Sequence, residues 1–168
     1  SLMTGTSAEG YRIADRFRLG GTTVVLGGVH ATLMPEEAAL HADSIVTGFA
    51  EECWPRLLRD FAKGELRPRY HQDGSDLRGL PPPRRDLQRP LGYLLPNTVL
   101  ATRGCRGNCE FCSVPAANFG WEKRPVEEVI DEIRAIPSRR FAVSDVHLTD
   151  DPDYAKELFR AMIPLKKK

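Results

Sequence analysis

"TTVVLGGVHATLMPEEAALHADSIVTG", residues 22–48, holds the pattern that decides the fold. Its two apolar runs, 22–28 and 43–48, are rich in β-branched residues and lack polar alternation, so each predicts a parallel strand buried on both faces. Between them "MPEEAALHA" predicts a short helix with Pro35 in its first turn, where a missing N–H does no harm. Strand, helix, strand is the repeating unit of a parallel sheet.

The pattern continues on both sides. In residues 8–19, "AEGYRIADRFRL", Tyr11, Ile13, Ala14, Phe17 and Leu19 fall near helical spacing, with Thr6 or Ser7 as N-cap and Gly20 and Gly21 as the stop. Residues 51–64, "EECWPRLLRDFAKG", predict another helix ending at Gly64, with Pro55 in its first turn. The order α, β, α, β, α is that of a doubly wound α/β sheet. From 65 to 96 periodicity disappears, and "LPPPRRDLQRP" reads as an extended, proline-rich linker. After it come a predicted strand at 97–104, a helix at 124–136, a strand at 140–148 and a helix at 151–163. These make two βα units of a parallel architecture, too few to close a barrel. The expected organisation is therefore 1–64, a linker at 65–96, and 97–168.

With 168 residues and 41% hydrophobic content the chain can fill a core, and a net charge of +1 supplies no basic field for sequence-independent nucleic-acid binding. No apolar run reaches the length of a bilayer span and no leader pattern opens the chain, so the expectation is a cytoplasmic protein without a membrane partner. The sequence also reads as a piece of a longer protein.

Three of the four cysteines lie in "RGCRGNCEFCSVP", residues 103–115, as C-x3-C-x2-C. Cys53, in a predicted helix far away, reads as a small buried hydrophobe. Structural zinc takes four ligands, but only Cys109 and Cys112 form a C-x2-C pair here, and His147 from the following strand would be needed to complete a site. Unligated thiols are a second alternative. The third is an iron–sulfur cluster, which three cysteines would leave with one open iron, an arrangement suited to binding a substrate or cofactor.

With Phe111 just before the last cysteine, and a strand before the loop and a helix after it, this stretch resembles the radical S-adenosylmethionine (radical SAM) enzymes. The resemblance implies that Cys105, Cys109 and Cys112 hold a [4Fe–4S] cluster whose open iron chelates S-adenosylmethionine. An electron from the cluster, supplied by a reductant such as flavodoxin or ferredoxin, would cleave the cofactor to a 5′-deoxyadenosyl radical. Phe111, Gly104 and Asp150 would then belong to the cluster and S-adenosylmethionine environment. Gly104 and Gly107 would let backbone amides approach the cluster sulfides, and Arg103 and Arg106 would sit beside the thiolates or simply in solvent. Phe111 as a core aromatic, and Asp150 or Asp151 as an N-cap before Pro152, are the plainer alternatives.

The first half, from "VVLGGVH" through Gly48-x-x-Glu51, resembles the C-terminal part of the Rossmann-like, flavodoxin-like cobalamin-binding domain that precedes the radical module in one branch of the superfamily. That implies cobalamin at Gly27, Gly28, His30 and Gly48, with the glycines allowing close approach at the strand ends and His30 hydrogen-bonded to a backbone carbonyl rather than to cobalt. The whole then reads as the end of that domain followed by the first βα units of a partial TIM-type barrel, a fragment of an enzyme that methylates or rearranges a small-molecule substrate. Unpaired sheet edges would favour self-association. The alternative is a non-catalytic α/β binding module with a structural zinc or Fe–S site.

Overall fold

The computed structural model describes the chain apart from residues 75, 89–91, 94, 118, 119 and 168 and the side chain of Pro115. It divides into two compact units, Ser1–Ser75 with Asn108–Phe119, and Asp76–Gly107 with Gly120–Lys168. Each is mixed α/β, and each contains parallel strands.

The first unit runs α1 (Ser7–Leu19), β1 (Val25–Gly27), α2 (Val29–Leu33), α3 (Pro35–Leu40), β2 (Ser44–Gly48), α4 (Cys53–Ala62) and β3 (Arg69–Gln72), and includes the short α5 (Ser113–Ala116). The strands form one parallel sheet in the order β1-β2-β3, with Leu26 opposite Ile45 and Val46 opposite Tyr70. Ser44, Ile45, Val46 and Thr47 are all buried, as a strand covered on both faces requires. Successive side chains point to opposite faces. Ile45 accordingly packs with Tyr11, Ala14, Ala31 and Ala38, while Val46 packs with Cys53, Leu57 and Tyr70. The expected strand at 22–28 shortens because the Thr22 amide turns back to Phe17 O at 3.0 Å and the Val24 amide donates to the Asp43 carboxylate at 2.8 Å.

Three features differ from the sequence reading of this half. β3 lies within the stretch read as linker; its four residues, RYHQ, alternate exposed and buried, and Tyr70 alone supplies the apolar contact. Tyr70 is also pinned through its hydroxyl, which donates to Asp60 at 2.8 Å and accepts from the Arg67 amide at 3.2 Å. The segment after Gly28, unassigned in the sequence, is the helix α2. On α1 only Tyr11 and Ala14 are buried, and Ile13, Phe17 and Leu19 face outward.

In the second unit β4 (Thr98–Val99) and β7 (Ala142–Val143) pair in parallel, with α6 (Val126–Ala135) between them in the chain, and α7 (Pro152–Met162) follows. β5 (Thr102–Gly104) pairs antiparallel with β6 (Trp121–Lys123). The core joins Val99 and Ala101 to Val126, Val129, Ile130 and Ile133 of α6 and to Tyr154 and Leu158 of α7. Each such aliphatic side chain taken from water contributes on the order of 1.5–3 kcal/mol.

Three expectations are corrected in this unit. The single strand at 97–104 is two, and the strand at 140–148 is only two residues long, for the same reason. The Asp145 carboxylate takes the amides of Ala101 and Thr102 at 2.8 and 2.9 Å, where a ladder would have used a backbone carbonyl. A carboxylate replaces the ladder, and the two strands end. The antiparallel β5–β6 pair departs from the all-parallel expectation. Among the described residues, no helix is long and apolar enough to cross a membrane.

Candidate functional site

Gly104 ends β5 with φ +82°, and a Cβ placed there would lie 1.8 Å from Gly120 O, so only glycine fits against β6. The next amide, Cys105 N–H, donates to Gly120 O at 3.1 Å, which places Cys105 where the chain leaves the strand. Gly104 thus serves a close approach, but to the chain's own backbone. The Gly107 N–H donates to Cys105 Sγ at 3.2 Å.

The far side of this turn is held by residues before α7. The Arg106 amide donates to Asp150 Oδ2 at 2.7 Å, and Asp150 Oδ1 lies 3.2 Å from His147 Nδ1. That same nitrogen is 3.5 Å from Cys105 Sγ. The Arg106 guanidinium stacks over the Trp121 ring at 4.1 Å, and Trp121 Nε1 donates to His147 O at 3.4 Å. Asp150 and Asp151, adjacent and interchangeable in the sequence, have different tasks. Asp151 caps α7, accepting from the Tyr154 amide at 3.0 Å, and pairs with Lys123 at 2.7 Å. The Lys123 hydrogen bond is the main cause holding the Asp151 carboxyl below its ordinary range.

Behind the loop, the Thr102 hydroxyl also donates to Asp145, yet burial outweighs these donors and pushes the Asp145 carboxyl upward. The buried Tyr154 hydroxyl donates to Arg124 O at 2.8 Å and Ala101 O at 3.3 Å; burial first, then the Asp145 charge, raises it to about 12. Asp145 and Tyr154 were not singled out in the sequence. An aspartate inside a predicted strand and a tyrosine at a helical core position carry no local signal of these bonds.

Cys109 is exposed and Cys112 partly buried, and the Cys112 amide donates to Cys109 O at 3.0 Å, closing a tight turn. All three loop cysteines are free thiols, as is buried Cys53. Phe111 is 93% exposed, which rules out the core-aromatic alternative.

The positions expected to face cobalamin are engaged by the first unit itself. A Cβ on Gly28, whose φ is +105°, would meet Leu2 O at 2.8 Å and Leu2 N at 2.9 Å. On Gly48 it would lie 2.1 Å from Gln72 O, and on Gly27 3.2 Å from Val46 O. His30 is buried, with Nδ1 bonded to Thr4 Oγ1 at 3.2 Å, so its partner is a hydroxyl and not a backbone carbonyl.

Residues 99–167, which hold this loop and the elements around it, match the radical SAM superfamily. The chain belongs to that superfamily. This radical SAM chain is 31% identical over 96% of its length to the bacteriochlorophyllide d C-12(1)-methyltransferase of Chlorobaculum tepidum, covering 38% of that protein. It is 39% identical over 73% of its length to the C-8(2)-methyltransferase of the same organism, covering 28% of it. A third relative, the ribosomal protein uS12 methylthiotransferase RimO of Parabacteroides distasonis, is 29% identical over 49% of the chain, covering 16% of RimO. The chain therefore spans well under half the length of these curated relatives. No solved structure matches it.

The donor set fits the cluster that this superfamily implies. Three free thiols offer soft thiolate ligands, and the Gly107 amide already points at one sulfur, the outer contact that tunes such centres. Of the positions expected to face cobalamin, Gly28 is in close contact with Leu2 and His30 is bonded to Thr4.

Proposed function

We propose that the chain is part of a cobalamin-dependent radical SAM methyltransferase, comprising the end of a Rossmann-like cobalamin domain (1–64), a proline-rich linker (65–96) and the first βα units of a TIM-type barrel (97–168). The observation that carries this reading is the set of free thiols Cys105, Cys109 and Cys112, spaced C-x3-C-x2-C inside the segment that matches the superfamily. These residues would hold a [4Fe–4S] cluster which, once reduced, supplies the electron that cleaves S-adenosylmethionine to a 5′-deoxyadenosyl radical.

The chain's own residues have separate roles in that chemistry. Gly104 fixes the exit of β5 and so the direction of Cys105. The Gly107 amide partly offsets the negative charge on the Cys105 sulfur, which favours the reduced cluster. Asp150 orients the loop through the Arg106 amide. Phe111, fully outward, is available to cover bound S-adenosylmethionine.

The acceptor in this reading is a carbon on a small molecule, and a tetrapyrrole side chain is the first to try, because two relatives are named as bacteriochlorophyllide d methyltransferases. A flavodoxin or ferredoxin would supply electrons, and the enzyme would work in the cytoplasm. Self-association is part of the proposal. The outward Ile13, Phe17 and Leu19 of α1 support it, and a single monomeric boundary in sedimentation would count against it.

Anaerobic reconstitution with iron and sulfide tests the central claim. The chain should gain a broad absorbance at about 400 nm. The triple variant C105A/C109A/C112A should gain none. Equal iron retention by both proteins would defeat the proposal. Hydroxocobalamin, titrated separately, should bind with a shift of its visible bands; an unchanged spectrum would remove cobalamin from the reading while leaving the cluster in place.

A further inference from the structure

His147 Nδ1 stands between two electron-rich atoms, 3.5 Å from Cys105 Sγ and 3.2 Å from Asp150 Oδ1. A neutral imidazole nitrogen either donates one proton or accepts one, so it cannot bond well to a sulfur and a carboxylate together. A cation bound by all three would serve each of them. The spacing suits one. Zinc–sulfur and zinc–nitrogen bonds of about 2.3 and 2.0 Å at a tetrahedral angle hold the two ligand atoms about 3.5 Å apart, and nitrogen and carboxylate oxygen about 3.3 Å apart. Those are nearly the two distances observed. All three ligand atoms lie within 4.8 Å of one another.

The surroundings are those of a ligand set held in place. The Arg106 amide takes Asp150 Oδ2 at 2.7 Å and leaves Oδ1 turned toward His147. The Gly107 amide donates to Cys105 Sγ at 3.2 Å and so fixes the direction of the sulfur. Trp121 Nε1 donates to His147 O at 3.4 Å and steadies the backbone that carries the ring. Asp150 is shielded while His147 is about half exposed, so one side remains open to an entering ion and a fourth, water ligand.

We propose that Cys105 Sγ, His147 Nδ1 and Asp150 Oδ1 form a mononuclear site for a zinc-type divalent ion, one that shares Cys105 with the three-cysteine set but needs neither Cys109 nor Cys112. The site itself does not depend on the proposed function. Its consequence does: if Cys105 is also a cluster ligand, the two metals exclude each other, and an ion here blocks cluster assembly until it leaves.

Cobalt(II) is the probe. Added without oxygen to the metal-free, reduced chain, it should bind one to one and give tetrahedral visible bands with a near-ultraviolet charge-transfer band of single-thiolate strength, all displaced by zinc. The C109S/C112S variant should keep the spectrum and bind within threefold of the parent. C105S should lose the charge-transfer band, and H147A and D150N should each bind at least tenfold more weakly while retaining the parent far-ultraviolet circular dichroism. Should H147A misfold, D150N alone decides the point. One equivalent of zinc added before iron and sulfide should lower the cluster yield of the parent relative to the same protein reconstituted without zinc. No charge-transfer band in the parent, a band lost in C109S/C112S, or undiminished binding in D150N would each overturn the site. Cluster formation, read separately by reconstitution without zinc, fails or succeeds independently of these outcomes.

Discussion

Replacing Glu132 by glutamine removes the one negative charge from a buried triad. The Glu132 side chain is 4% exposed and accepts from Arg124 and from Arg85, each at 2.5 Å, and those guanidiniums are only 8% and 16% exposed. Each arginine has a second anchor, Arg124 on Leu100 O at 2.9 Å and Arg85 on Thr98 O at 2.5 Å. The triad thus fastens α6 to both ends of the β4 segment and to a residue from the proline-rich stretch. In E132Q one amide oxygen can still accept, but the amide nitrogen then faces a guanidinium, and the two arginines lose the carboxylate that lies between them. Hydrogen bonds to charged groups contribute about 1.5–3 kcal/mol each, and breaking a buried ion pair costs about 3–5 kcal/mol. We take about 4 kcal/mol for E132Q. With a urea dependence of about 2 kcal/mol per molar, the unfolding midpoint should fall by about 2 M. Trp121 fluorescence in a W54F background reports on the second unit alone. D76N, which removes an exposed pair with Arg78, is the control and should leave the midpoint in place. A fall of less than about 0.5 M in E132Q would show that the triad contributes no more than a surface pair, and the reasoning would be refuted.

Three further perturbations test single contacts. G104A adds a Cβ 1.8 Å from Gly120 O at φ +82°, and should cost at least about 2 kcal/mol through left-handed strain and loss of the β5–β6 pair; an unchanged denaturation midpoint would contradict the close approach. For Tyr154 the folded value of about 12 lies above the ordinary 10, so the native state holds more protons between them and stability falls as pH rises through that window. Y154F should be less stable by about 1–2 kcal/mol below pH 10, from two lost hydrogen bonds, yet show a flatter decline above it. Parallel pH curves for the two proteins would mean that Tyr154 is not the titrating group. Asp151 has the opposite sign. Its folded carboxyl is depressed below the ordinary 3.8, so its contribution is present above that pH and is lost as pH falls through the folded value; D151N should lack that acid-side loss, measured as the urea midpoint against pH.

The parts of the fold that could be read from sequence are those in which one residue's environment is set by its neighbours in the chain. β2 is covered on both faces and is therefore an uninterrupted apolar run, and α6 and α7 bury one stripe each, so their spacing is visible. β3 shows the opposite case. RYHQ has a single apolar side chain, and what makes it a strand is an open edge of β2 far away in sequence. The division of 97–104 into β4 and β5 depends on the Asp145 side chain, more than forty residues later, taking two amides.

The candidate site divides along the same line. The thiols declare themselves by their spacing, which is read directly along the chain. Their neighbours do not. Asp150 and Asp151 stand side by side before Pro152, and either could cap the helix. The choice follows from geometry: Asp151 is the residue whose φ and ψ are extended at the start of α7 and whose carboxylate reaches the Tyr154 amide. With the cap supplied there, Asp150 is left on the preceding turn, facing the Arg106 amide and His147. If that division of labour is right, losing the cap and losing the loop contact separate cleanly. D151A should lower stability and spare cobalt binding, whereas D150N should spare most stability and weaken cobalt binding at least tenfold; a variant pair that loses both together would mean that the two aspartates form one structural unit.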